Sequence, residues 1–218
     1  MDNRQASNNR MMLLLIAGIP LTIVLAATWL WYFVVQGDLD LVGALGTANS
    51  GELVQPPRQI DDETLLNQAG VPYPYAEHEQ LRWTMLVVGG ALCDSFCERN
   101  LYLTRQIHLG MGKDFNRLRR LYVSELTVED TAFSLASLSD GQDAPDSLSA
   151  LLAGEHRGME ALRLESGASE RLFPEWLADP STWYLVDPRG WIMMSYDADV
   201  SYKDVTSDLK FLLKNSSG

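Results

Sequence analysis

A run of 25 residues without a single Asp, Glu, Lys or Arg, residues 11–35, constrains this chain more than any other feature. As a helix rising about 1.5 Å per residue it would reach about 37 Å, more than the roughly 30 Å hydrocarbon core of a bilayer. Pro20 falls inside the run; membrane helices tolerate such a break because neighbouring groups re-satisfy the freed backbone. A secretory leader has an apolar core of only about 7–15 residues. Here the run continues through Trp29, Leu30, Trp31, Tyr32 and Phe33, so a retained single-pass anchor is expected. Arg4 and Arg10 precede the run, Asp38 and Asp40 follow it, and the first cation beyond it is Arg58. The positive-inside rule then makes residues 1–10 a cytoplasmic tail, and the expected location is the inner cell membrane with the bulk of the chain periplasmic.

The chain carries 17 Lys plus Arg against 29 Asp plus Glu, a net charge of −12, and only Asp2, Arg4 and Arg10 lie before the run. The outer portion is therefore acidic. Nucleic acid binding is disfavoured, since neutralising phosphates needs a basic surface. An acidic surface keeps a domain soluble and can steer a basic partner or a cation.

Residues 36–60 hold Gly37, Gly43, Gly46, Gly51, Pro56 and Pro57 among polar neighbours, and read as a linker. A short helix is expected at 61–68 and a turn at Pro72-Tyr73-Pro74, so 36–80 is taken as linker and N-terminal extension. The domain proper, 81–218, alternates strand and helix signals. Residues 82–88 form a short apolar run of the kind that fills a central strand. Gly89 and Gly90 end it, a helix follows over 93–110, and a second strand is centred on 121–124. A Ser/Asp/Gly/Pro-rich loop at 139–147 leads to a helix expected over 148–164. Strands at 182–186 and 191–196 flank Asp187-Pro188-Arg189-Gly190, which has Pro and Gly where a turn wants them. An amphipathic helix over 202–214 closes the chain. The order β-α-β-α-β-β-α favours a parallel pair at the front with an antiparallel hairpin added. The expected fold is an α/β, thioredoxin-like sandwich domain carried on a single N-terminal transmembrane helix.

The chain has two cysteines, Cys93 and Cys97. Four residues apart, they close almost no loop and would staple little; their spacing points to chemistry. On a helix starting near Cys93, both sulfurs share one face about a turn apart. The helix N-terminus offers free N–H groups and the positive end of the dipole, which favours thiolate. Two thiolates together suit Cu(I), and the same pair can form a disulfide that exchanges with another thiol. Cys93, first at the helix mouth, is expected to be the more exposed sulfur and the attacking one. The alternative is a pair of small apolar residues packed at a helix start.

The segment from Val87 to Arg99, with Cys93-Asp94-Ser95-Phe96-Cys97 after a strand, resembles the Sco family, membrane-anchored thioredoxin-fold proteins that assist cytochrome c oxidase assembly. Tyr184-Leu185-Val186-Asp187-Pro188-Arg189-Gly190 is similar to that family's Tyr-Leu-x-x-Pro-x-Gly hairpin. Gly51-Glu52-Leu53-Val54-Gln55-Pro56 is similar to a stretch in small anchored proteins encoded beside bacterial oxidase genes. The resemblance implies oxidase subunits or assembly factors as partners, and thiol–disulfide exchange or transient Cu(I) handling at Cys93 and Cys97. Two departures stand out. The family has proline after each cysteine, where this chain has Asp94 and Glu98, and Asp179 occupies the position of the family's copper-binding histidine. A carboxylate is a hard ligand, poorly matched to Cu(I). His78, His108 and His156 are the other candidates to complete a site. His108 would lie about 16 Å along the helix from Cys97, too far to share a metal. The departures also support a second expectation, a non-catalytic membrane-tethered scaffold of the same fold. Pro180 sits where thioredoxin-like redox proteins often place a cis proline. Dinucleotide, phosphate-loop, zinc-protease and nucleophile-elbow motifs are absent.

Overall fold

In a computed structural model of the chain, residues 2–35, 49–76 and 82–215 are described. They fall into two compact units, 1–48 and 49–218. The first unit holds one helix, α1 (Asp2–Val35), with Pro20 inside it. Its apolar side chains are exposed, among them Ile16, Ile23, Leu25, Trp29 and Trp31. Among the described residues no helix is long and apolar enough to cross a membrane. The side chains at 11, 13, 30 and 33–35 lie outside that description.

The second unit is built on a seven-stranded sheet. Its strands are β1 (Glu52–Gln59), β2 (Leu65–Asn67), β3 (Trp83–Gly89), β5 (Leu118–Ser124), β7 (Glu160–Leu164), β8 (Trp183–Val186) and β9 (Trp191–Tyr196), in the spatial order β1-β9-β8-β3-β5-β7-β2. β3, β5 and β7 run parallel, and the other neighbours pair antiparallel. A small parallel pair, β4 (Leu92–Cys93) with β6 (Ala132–Phe133), stands apart. The helices are α2 (Ser95–Gly110), α3 (Leu148–Glu155), α4 (Ala168–Leu172), α5 (Pro174–Ala178) and α6 (Tyr202–Asn215).

β3 is buried along its whole length, which is what a near-continuous apolar run at the centre of a partly parallel sheet predicts. Met85 and Val87 face a core shared with Leu101 and Ile107 of α2, Leu151 of α3, and Val205 and Leu209 of α6. Leu86 and Val88 face a second core shared with Ile60, Tyr75, Leu172 and Phe173. The β8–β9 hairpin forms as expected: Asp187 Oδ1 accepts from the N–H groups of Arg189 and Trp191, both at 2.8 Å. Gly190 takes φ +89°, a conformation that glycine adopts freely.

Three expectations change. The 36–60 linker reading gives way at 52–59, which pair with β9 as an edge strand; 36–48 lie outside the described residues. Pro56 and Pro57, which suggest a linker, sit within this strand because an edge strand tolerates proline at a bulge, and the β1–β9 register shifts between Leu53 and Arg58. Residues 61–68 form no α-helix; a single 3-10 turn (Ile60–Asp62) precedes β2. Asp61 anchors this stretch by accepting from the N–H groups of Tyr75 and Ala76 at 3.0 Å. The helix expected over 148–164 ends at Glu155, and 160–164 become β7 against the free edge of β5. Gly158, at φ +81°, makes the turn between them.

The exit of β3 is crowded. A Cβ at Gly89 would stand 1.9 Å from the Tyr122 hydroxyl and 2.3 Å from its ring carbon, and Tyr122 is fully buried. Gly89→Ala should therefore lower the urea unfolding midpoint by an amount equivalent to about 1–3 kcal/mol. An unchanged midpoint would show that Tyr122 can move aside.

Candidate functional site

Cys93 and Cys97 are joined by a disulfide, with Cα atoms 5.1 Å apart. Cys93 ends β4, held in register with Phe133 of β6. Cys97 lies in the first turn of α2. The pair therefore sits where the chain passes from the C-terminal end of the central strand into a 16-residue helix.

The two acidic departures have structural work beside it. Asp94 is the N-cap of α2, its Oδ1 accepting from Phe96 N at 3.0 Å and Cys97 N at 3.1 Å. Asp is among the best N-cap residues because its oxygen takes up donors the helix leaves unpaired. Glu98 is 4% exposed and grips the loop after β6, accepting from Ser139 N at 3.0 Å and Ser139 Oγ at 2.5 Å. Arg105 Nη2, farther along α2, reaches Asp140 at 3.5 Å. Leu138 of this loop is buried in the same core cluster as both cysteines.

The result corrects the expected exposure. Cys93 is 0% exposed and Cys97 6%, so the first cysteine is the more enclosed of the two. Flanking residues Leu92 and Phe96 are exposed instead.

The remaining candidates are not brought to the sulfurs. Asp179 follows α5, exposed, its Oδ1 accepting from Ser181 N at 2.9 Å. It lines an open acidic cleft with Glu52, Asp197, Asp199 and Asp204, from which the cysteines are absent. The Asp179–Pro180 bond is trans, and the cis peptide among the described residues is Gln55–Pro56. His108, in the last turn of α2, stacks on Phe115 and donates from Nε2 to the Phe115 carbonyl at 2.9 Å. His156 follows α3 and accepts at Nδ1 from Arg120 Nη1 at 3.1 Å, which places its proton on Nε2. His78 lies outside the described residues.

A copper ion held as the resemblance implies needs a donor beyond the two sulfurs. Among the described residues no group of three or more His, Cys, Asp or Glu side chains could hold a metal. The disulfide itself presents no thiolate. Among the described residues the donors at this site are the two sulfurs, which suit two-electron exchange.

Residues 83–143 and 137–216 match the family described as transmembrane-like, thioredoxin-like, C-terminal domain. No curated protein matches the chain in sequence. Copper-bound yeast Sco1 is similar in structure at 15% identity and TM-score 0.50, over 79% of this chain and 97% of that one. An uncharacterized thioredoxin-like protein from Porphyromonas gingivalis is similar at 13% identity and TM-score 0.51, over 72% and 92%. BsSco, described as a member of the Sco family of cytochrome c oxidase assembly proteins, aligns at 16% identity and TM-score 0.48, over 79% and 99%. At these identities the likeness is one of fold.

Two outcomes test this geometry. Asp94→Ala should cost about 1 kcal/mol in unfolding free energy and Asp94→Asn only a few tenths, read by urea denaturation; equal losses would deny the cap its role. His156 is buried, and burial first, then the Arg120 guanidinium, push its pKa down to about 3. The unfolded chain, with its ordinary histidine near 6.5, then binds more protons between those values. Stability should be full above about pH 6.5 and fall as pH drops toward 3, with a slope approaching 1.4 kcal/mol per pH unit. That slope should flatten in His156→Gln.

Proposed function

We propose, for a chain that belongs to the family of transmembrane-like, thioredoxin-like C-terminal domains, a membrane-anchored thiol–disulfide exchange partner in the assembly of cytochrome c oxidase. The observation that carries this reading is the Cys93–Cys97 disulfide at the junction of central strand and helix. The structural likeness to Sco1 and the Tyr184–Gly190 hairpin support the oxidase connection. The uncharged run at 11–35, helical within α1, supports the anchor, with the soluble domain on the periplasmic side.

In this reading the reduced chain gives up two electrons. One of its thiolates attacks a disulfide in the target, forming a mixed disulfide and releasing the first target thiol. The chain's second sulfur then attacks its own partner sulfur, releasing the second target thiol and closing the Cys93–Cys97 bond. A further dithiol protein restores the reduced pair. The helix dipole favours thiolate during the cycle, while Asp94 keeps the Phe96 and Cys97 amides for itself. Both sulfurs are enclosed in the oxidised form, so the packing around them must open for a target to reach them. No step passes through copper.

The burial of both cysteines favours one second reading, a tethered scaffold that holds assembly partners by its surface. One experiment separates the two. The full chain in non-ionic detergent is cycled with reductant and oxidant, its free thiols are counted, and the reduced form is titrated with Cu(I). Two thiols that appear and vanish reversibly, without stoichiometric copper uptake, support exchange. Stoichiometric Cu(I) binding would instead make it a copper carrier, and neither response would leave the scaffold. In cells, Cys93→Ser and Cys97→Ser should each impair oxidase assembly; normal assembly in both would overturn the thiol mechanism.

A further inference from the structure

At the end of the sheet away from the disulfide, the same domain carries a basic cleft that none of this chemistry uses. β3 runs from that end toward the cysteines, and its seven residues separate the two by about 20 Å at roughly 3.3 Å each. Arg82 just before β3, Arg105 of α2, Arg120 of β5 and Arg157 after α3 line it, with Glu155 as the carboxylate among them. In a chain of net charge −12 such a concentration of guanidinium groups runs against the composition.

Arg105 has its counter-charges, pairing with Glu155 at 2.6 Å and Asp140 at 3.5 Å. Arg119, the neighbour of Arg120, donates to the Thr84 and Tyr73 hydroxyls and lies over the Tyr75 ring. Arg82, Arg120 and Arg157 have no ion pair among the described residues. Arg120 is the telling one. It is 5% exposed, and its hydrogen-bond partner is the neutral His156 ring, which brings no negative charge. Burial, then the Arg105 guanidinium, lower its pKa to about 10. A buried cation without a counter-charge is costly, and proteins that keep one generally pair it. Guanidinium forks match the oxygens of a tetrahedral oxyanion, which can take several N–H donors at once.

We propose that this cleft binds a phosphate-class oxyanion, with Arg120 at its base and Arg82 and Arg157 at its rim. The anion is either free phosphate or the phosphodiester of an anionic lipid headgroup.

The test uses the full chain in non-ionic detergent at constant ionic strength. It is titrated by calorimetry with inorganic phosphate, then with dihexanoyl phosphatidylglycerol against dihexanoyl phosphatidylcholine. The double variant R82Q/R157Q, altered only at residues outside the core, should melt like the parent. Losing charge-assisted hydrogen bonds, it should bind at least about tenfold more weakly. Saturable phosphate binding that the variant loses supports the proposal with free anion as the source. Binding of phosphatidylglycerol alone, again lost in the variant, supports it with a headgroup as the source. No saturable binding of either probe at millimolar concentration overturns the proposal, as does binding that the variant retains in full. The readout is independent of thiol chemistry, so it stands or falls apart from the exchange reading.

Discussion

A strand buried on both faces must be covered on both, and β3 imposes that demand on the whole domain. Each of its fully buried Leu, Val or Met side chains is worth about 1.5–3 kcal/mol relative to exposure. That stabilisation is realised only if layers exist on either side. α2, α3 and α6 supply one layer. The other comes from Ile60 and Tyr75, which flank β2, and from the short helices α4 and α5. The N-terminal extension is thus a wall of the core. The same strand delivers the chain, through Gly89 and Gly90, to the disulfide, so the packing around β3 positions the site.

Much of this was legible where the signal is local. The apolar run of β3, the Asp187–Gly190 turn, the amphipathic α6 and the strand-to-helix setting of Cys93 and Cys97 all read directly from neighbouring residues. What failed was non-local. Pro56 and Pro57 look like linker until β9 is there to pair with β1. The 148–164 stretch looks like one helix until the open edge of β5 claims residues 160–164. Exposure of a cysteine is likewise tertiary: both sulfurs lie in a core cluster whose other members, such as Leu138, Leu148 and Leu151, are remote from Cys93 in sequence. The basic cleft was hidden for the same reason, since Arg82, Arg105, Arg120 and Arg157 come from four separate elements.

One carboxylate ties the beginning of the domain to its end. Asp208 of α6 is buried, and its Oδ2 accepts from Ser50 N at 2.9 Å, Gly51 N at 3.2 Å and the Tyr196 hydroxyl at 3.3 Å. β1 is therefore secured just before its first residue by the last helix as well as along its ladder with β9.

The N-cap at Asp94 has an electrical consequence for the sulfurs. Its carboxylate already occupies the Phe96 and Cys97 amides, donors that a sulfur anion at the helix mouth could otherwise use. It also sets a fixed negative charge beside that anion. Both effects make the dithiol form harder to hold and the closed bridge easier to reach, as the converse case of a strongly stabilised reduced form makes an oxidant. In the proposed exchange, a couple biased in this way would release electrons more readily than it accepts them, with the capping residue inclining the pair toward the role of donor.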